Sequence, residues 1–196
     1  MTLNAILCEG NAEEEVMEIL LENDCLIISY NDLFYNEVLR VRSAEKFCEN
    51  YLRTELSEPV TIYRILDSKN ENFKLTKKLK KAYANKINRV KVVITSEEME
   101  ILIIHAEERY EHYQRWRAGR TNSKPSDYCK EELEFSDVKK KGFYKSYFSD
   151  YRRLIEAIHL YNQTRKRTLG GEDKLTLFDL LKKEYKQWPL QIQENR

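Results

Sequence analysis

Asn4-Ala5-Ile6-Leu7-Cys8-Glu9-Gly10-Asn11-Ala12-Glu13 is a short apolar run that ends on a carboxylate, meets a glycine at once, and passes into a helix-forming segment. In an open α/β sheet, ligands and metals sit beyond the carboxyl ends of the strands. Glu9 is expected at that edge, where an acidic residue can hold a divalent cation. Gly10 would let the backbone turn sharply there with no side chain in the way.

Outward from this start, the pattern repeats. Residues 3–8 read as a strand, and residues 12–22 as a helix with Val16, Ile19 and Leu20 on one face. Cys25 to Ser29 is a second apolar run, expected as a strand. Residues 44–53 look helical. Thr61 to Leu66 is rich in β-formers and ends at Asp67. Residues 76–87 form a basic helical pattern around Leu79, Tyr83 and Ile87, and Val90 to Ile94 is the last clear strand. Strands that alternate with helices of about ten residues indicate βαβ units. The expected fold is α/β: a small, mostly parallel sheet with flanking helices over residues 1–105. Parallel connections put Glu9 and Asp67 on the same edge.

From Ser96 onward the pattern is helical, so residues 106–196 are expected as an all-helical region packed on the sheet. Glu97 to Trp116 reads as one long helix. Pro125 opens a short helix over residues 125–134, as proline favours the first turn. Residues 137–149 and 150–166 read as two more. Leu175 to Trp188 reads as the last, with Thr176 as its N-cap and Asp179 three residues on.

The chain has 196 residues, of which 41% are hydrophobic and 34% charged, with only 5 Gly and 3 Pro. That composition excludes a disordered chain and favours long regular elements. No apolar run reaches the length of a membrane span, and the N-terminus lacks a signal-peptide pattern, so the expected location is cytoplasmic, with no membrane partner. Cys8, Cys25, Cys48 and Cys129 form no C-x-x-C pair, which argues against a zinc knuckle. The net charge of +1 divides by sign. Residues 1–105 carry 14 Lys+Arg against 18 Asp+Glu, and residues 106–196 carry 20 against 15.

The acidic candidates are Glu9, Asp67 and Glu100, with Glu13, Glu98 and His105 as accessory groups. Carboxylates that converge on a small volume can hold Mg²⁺ for phosphoryl chemistry. The competing reading is that Glu13 to Glu15 and Glu97 to Glu100 complement helix dipoles and that His105 is a packed histidine. His112 and His159 read as surface residues. The basic candidates are Arg115, Arg117 and Arg120 beside Tyr113 and Trp116, and Lys139, Lys140 and Lys141 near Phe143, Tyr144, Tyr147 and Phe148. Basic residues interleaved with aromatics can grip a phosphate backbone and stack bases. The competing reading makes those aromatics a helical core.

The Cys8-Glu9-Gly10 strand end with Glu13 following, the strand that ends at Asp67, and Thr95 to His105 (TSEEMEILIIH) together resemble TOPRIM-like proteins, in particular the RloB-like group associated with bacterial phage-defence loci. The likeness covers roughly the first 110 residues. It implies a TOPRIM-like sheet and a Mg²⁺- or Mn²⁺-dependent nuclease. In that likeness Glu9 is the acid/base or metal-bridging carboxylate, Asp67 the first acid of an Asp-x-Asp metal motif, and Glu100 a later acid with His105 nearby. The motif reads here as Asp67-Ser68-Lys69, with a cation in place of the second acid. That substitution implies the alternative, a catalytically degenerate module that binds nucleic acid or a defence-system protein. A third reading, a sheet serving oligomerisation or regulation, draws on the abundance of tyrosine (13).

Overall fold

The computed structural model describes residues 3–66, 73, 75–95, 97–164 and 173–187. Its centre is a five-stranded sheet in the order β2-β1-β3-β4-β5, with every strand pair parallel. The strands are β1 (Leu3–Cys8), β2 (Leu39–Arg40), β3 (Val60–Leu66), β4 (Ile87–Ile94) and β5 (Lys174–Leu175). The register runs Ile6↔Tyr63, Ile65↔Val93 and Val93↔Leu175, so Glu9 follows directly on the carboxyl edge.

Both faces of the sheet are covered, which is why β1 and β3 read as continuous apolar runs. Ile6 and Cys8 of β1, with Tyr63 and Ile65 of β3, point into one core. Ala5 and Leu7, with Val60 and Ile62, point into the other. The alternation follows from successive side chains leaving a strand on opposite faces. The first core is built by α1 (Asn11–Glu22), α4 (Ile101–Ala106) and α8 (Tyr151–Thr164), with Tyr113, Tyr128, Tyr144 and Phe148. The second is closed by α2 (Ala44–Tyr51) and by α3 (Lys77–Ala82), whose Leu79 packs with Tyr83 and Ile87 against it. The first core runs without a break from β1 to Leu177 and Leu180, so residues on both sides of position 105 share it.

Several expected elements differ in extent. Cys25 to Ser29 is no strand, because Leu26 makes only an isolated antiparallel bridge with Leu181. The edge position next to β1 is taken instead by Leu39–Arg40. The expected 97–116 helix divides into α4 and α5 (Tyr110–Ala118) at Glu108, whose φ of 55° cannot continue a right-handed helix. The basic helix ends at Ala82, and β4 begins at Ile87. Further helices are α6 (Pro125–Glu131), α7 (Phe143–Tyr147), α9 (Leu177–Leu180) and α10 (Lys183–Lys186). Thr176 caps α9 as expected, accepting from Asp179 N at 3.1 Å. Leu175, expected to open that helix, adds β5 to the sheet instead. All four cysteines are free and buried.

One long-range contact joins the first helix to the C-terminal helices. Glu15 is 1% exposed. Its carboxylate accepts backbone N–H bonds from Gly142, Tyr144 (2.9 Å) and Lys145 (3.4 Å) at the start of α7. Gly142 has φ +89°, a left-handed conformation that suits glycine. Lys145 in turn pairs with Glu18 (2.9 Å) and Glu22 (3.0 Å) on α1. Glu15→Ala leaves these amides without their acceptor, and we expect a loss of about 3 kcal/mol or more. Urea unfolding of the variant against wild type measures it, and Glu15→Asp, which keeps the charge, should lose less than Glu15→Ala.

Candidate active cleft at the carboxyl edge of the sheet

A cleft of about 320 Å³ opens at the carboxyl edge beside Glu9. Four carboxylate residues line it: Glu9 just after β1, Glu13 in the first turn of α1, and Glu98 and Glu100 between β4 and α4. Three cations share the lining, Arg40 and Arg42 from β2 and the residues after it, and Lys139 from the segment before α7. The loops that follow β1, β2 and β4 meet at the point where the strand order reverses around β1, the usual place for a ligand in a doubly wound sheet.

Each carboxylate has its own environment. Glu9 is one-third exposed and lies between Arg42 Nε at 3.3 Å and Arg64 Nη2 at 3.7 Å. Glu13 folds back to accept the Gly10 N–H at 3.1 Å. Gly10 itself is extended (φ −117°, ψ 179°), so the glycine is not required by its backbone angles. What it provides is room, because a Cβ there would stand 2.8 Å from Glu13 Oε2. Glu98 accepts from Ser126 N at 3.3 Å and pairs with Lys139 at 3.1 Å and Lys124 at 3.5 Å. Burial alone would raise its carboxyl, but the bonds from Ser126 and Lys139 outweigh burial and hold it below the ordinary range. Glu100 is 4% exposed. Burial pushes its carboxyl up from 4.5 to about 7, against its own backbone hydrogen bond and with help from nearby Glu98.

Arg64, which the sequence reading passed over, organises the site. It is 1% exposed in the middle of β3. Its Nη1 donates to the Leu7 carbonyl (3.2 Å) and the Val41 carbonyl (3.1 Å), while Nη2 faces Glu9. The signal for it was an arginine inside the apolar run Thr61-Ile62-Tyr63-Arg64-Ile65-Leu66, where a buried cation demands a partner.

Of the expected site residues, Glu9, Glu13, Glu98, Glu100 and Lys139 meet at the cleft. Asp67 and Lys69 lie outside the described residues. His105 lies elsewhere, 3% exposed and stacked on Tyr110 at 4.4 Å, with Nε2 3.3 Å from Thr164 Oγ1. Burial lowers its pKa to about 4, which keeps the ring neutral. His159, expected on the surface, is 7% exposed and donates from Nε2 to the Tyr185 carbonyl at 2.6 Å. Arg117 pairs with Glu97, Arg120 with Glu131 and Lys140 with Asp137. Arg115 and Lys141 are exposed. Tyr113, Tyr144 and Phe148 are core residues. The second-half basic candidates therefore do not gather with exposed rings; Arg120 lies over the half-buried Trp116 at 4.1 Å.

The donor chemistry at the cleft suits a hard cation. Mg²⁺ takes oxygen ligands and is commonly held by one or two carboxylates plus substrate oxygens. Glu9 and Glu13 supply such oxygens. Among the described residues no group of three His, Cys, Asp or Glu is gathered as a ready-made metal site. Glu9 would have to exchange part of its contact with Arg42 for the ion.

No protein-family model, curated protein or solved structure matches the chain. Fold and cleft define it as an all-parallel α/β protein with a mixed-charge cleft at its carboxyl edge.

The buried acid makes a pH prediction. A carboxyl raised on folding is neutral in both states below about 4.5, so its stabilisation is complete there. It is lost as pH rises through the folded value of about 7, because only the unfolded chain ionises freely in between. Glu100→Gln should remove a loss of ~3 kcal/mol between pH 4.5 and 7. Urea midpoints at pH 4.5, 6 and 8 should therefore fall less steeply for the variant than for wild type.

Proposed function

We propose that the cleft is the active site of a divalent-metal-dependent nuclease that cleaves nucleic-acid phosphodiesters, in line with the TOPRIM-like resemblance and its association with phage defence. The observation that supports it best is the convergence of Glu9, Glu13, Glu98 and Glu100 with Arg40, Arg42 and Lys139 at one sheet edge. Glu9, with Glu13 beside it and Asp67 as the resemblance implies, would hold Mg²⁺ or Mn²⁺. When bound, such an ion would supply Lewis-acid polarisation of a phosphate oxygen and offset the negative charge on the phosphate oxygens.

The protein's own groups take the remaining tasks. Arg42, half released from Glu9, and Lys139 orient the phosphate by charge-assisted hydrogen bonds. Arg64 is too buried to meet substrate and acts as a positioning residue that fixes the Glu9 carboxylate. Glu100, poised near neutral pH, can hold or release a proton at the cleft wall. Labelled single- and double-stranded DNA and RNA incubated with MgCl₂ or MnCl₂ test the reading. Cleavage is expected with metal, is absent in EDTA, and falls at least ~100-fold in Glu9→Gln. Equal cleavage by Glu9→Gln and wild type would overturn it.

The second reading is a catalytically degenerate module that binds nucleic acid or a defence-system protein. It is favoured by the two arginines on Glu9 and by Lys69 in the motif. It predicts salt-sensitive binding with no cleavage in any divalent metal. Binding to neither DNA nor RNA would move the assignment to a protein partner.

A further inference from the structure

An acid-free run of the chain carries a surface that neither the cleft nor the basic candidates of the second half account for. Between residues 72 and 96 there is no aspartate or glutamate, while Lys74, Lys77, Lys78, Lys80, Lys81, Lys86, Arg89 and Lys91 all fall there. This is the most basic part of a half-chain that is acidic in sum. In α3, Lys77, Lys78, Lys80 and Lys81 are exposed, and no carboxylate of the described residues pairs with them. Many cations elsewhere are paired: Arg42, Arg117, Arg120, Lys139, Lys140, Lys145 and Arg153 each have a carboxylate within 3.3 Å.

A groove of about 640 Å³ runs beside these lysines. The rings of Phe73 and Tyr83, the charges of Lys80 and Arg89 and the amide of Asn88 line it, with Asp173 paired to Arg89 at one side. Asn88 and Arg89 belong to the first part of β4, so the groove sits at the opposite edge of the sheet from the cleft.

We propose that the α3–β4 surface is a binding groove for single-stranded nucleic acid, with the α3 lysines on the phosphates and Tyr83 and Phe73 as stacking platforms. Unpaired cations along one face give the electrostatic attraction that holds a phosphate backbone. Phe73 and Tyr83 are half-buried, packing on the second core while also lining the groove, and the ring surface left toward the groove adds base stacking that tolerates any sequence. A membrane surface fits less well. Membrane-surface helices bury an apolar face in lipid, and the apolar side of α3 is already committed, since Leu79 and Tyr83 pack on the second core. A small anion fits less well because the charge extends along the helix instead of focusing on one point.

The inference does not depend on cleavage at the cleft, so the test is run in EDTA. A fluorescein-labelled single-stranded DNA or RNA 20-mer is titrated with the full chain while salt is varied. For wild type, contact with four lysines gives a log–log salt slope near about −3 and a loss of about 50-fold between about 50 and 200 mM salt. The variant K77E/K78E/K80E/K81E should bind at least ~10-fold more weakly with a flatter slope, while K140E/K141E stays close to wild type. Circular dichroism melts show whether the quadruple variant is folded, and the wild-type slope stands even if it is not. A flat wild-type slope, wild-type affinity in a folded quadruple variant, an equal loss in K140E/K141E, or capture of anionic phosphatidylserine vesicles in preference to the oligonucleotide would each overturn the proposal.

Discussion

A single buried guanidinium holds the carboxyl edge of this sheet in register. Arg64 sits in a strand with apolar neighbours, where an unpaired cation would cost several kcal/mol. It is tolerated because two carbonyls, at the end of β1 and just after β2, and the Glu9 carboxylate surround it. Those carbonyls belong to the last turn-off points of their strands, so one side chain ties β3 to both segments on its far side. The rest of the site follows from this tie. Glu9 is aimed along the edge, Arg42 closes on it from outside, and the loops bearing Glu13, Glu98 and Glu100 complete the wall.

Buried carboxylates divide the labour between stability and chemistry. Glu15 is wholly satisfied by main-chain amides and anchors the C-terminal helices to the first helix. Glu100 is nearly as buried, yet its surroundings disfavour the charge, so it stands near the pH at which it could exchange a proton. Both lie in acid-rich stretches that complement a helix dipole equally well on paper. What separates them is the direction each side chain takes: Glu15 meets a ring of N–H groups at the start of α7, while Glu100 faces the cleft and the Cys129 region.

Charge pairing also rearranges the apparent electrostatics. The second half of the chain has the larger surplus of basic residues, but most of the expected contacts there are spent on neighbouring acids. Among the described residues, a cluster of four unpaired lysines lies on α3, in the half with the acidic balance. Net charge counted along a chain says little about where a free charge will stand, because ion pairs form across elements.

The sequence by itself determined the alternation of strands and helices, the parallel sheet, and the placing of Glu9 at a strand end. These are consequences of local patterning: apolar runs of strand length, glycine after a carboxylate, helices between. It also marked Glu13, Glu98 and Glu100 as acids that belong near that edge. Only the tertiary structure decided which runs pair. Cys25 to Ser29 is apolar enough for a strand, but the place beside β1 goes to Leu39–Arg40, and the fifth strand comes from beyond α8. The same holds for His105, Tyr144 and Lys139, which meet Thr164, Glu15 and Glu98 far along the chain. Such pairings depend on long-range packing and desolvation, and no window of neighbouring residues carries that information.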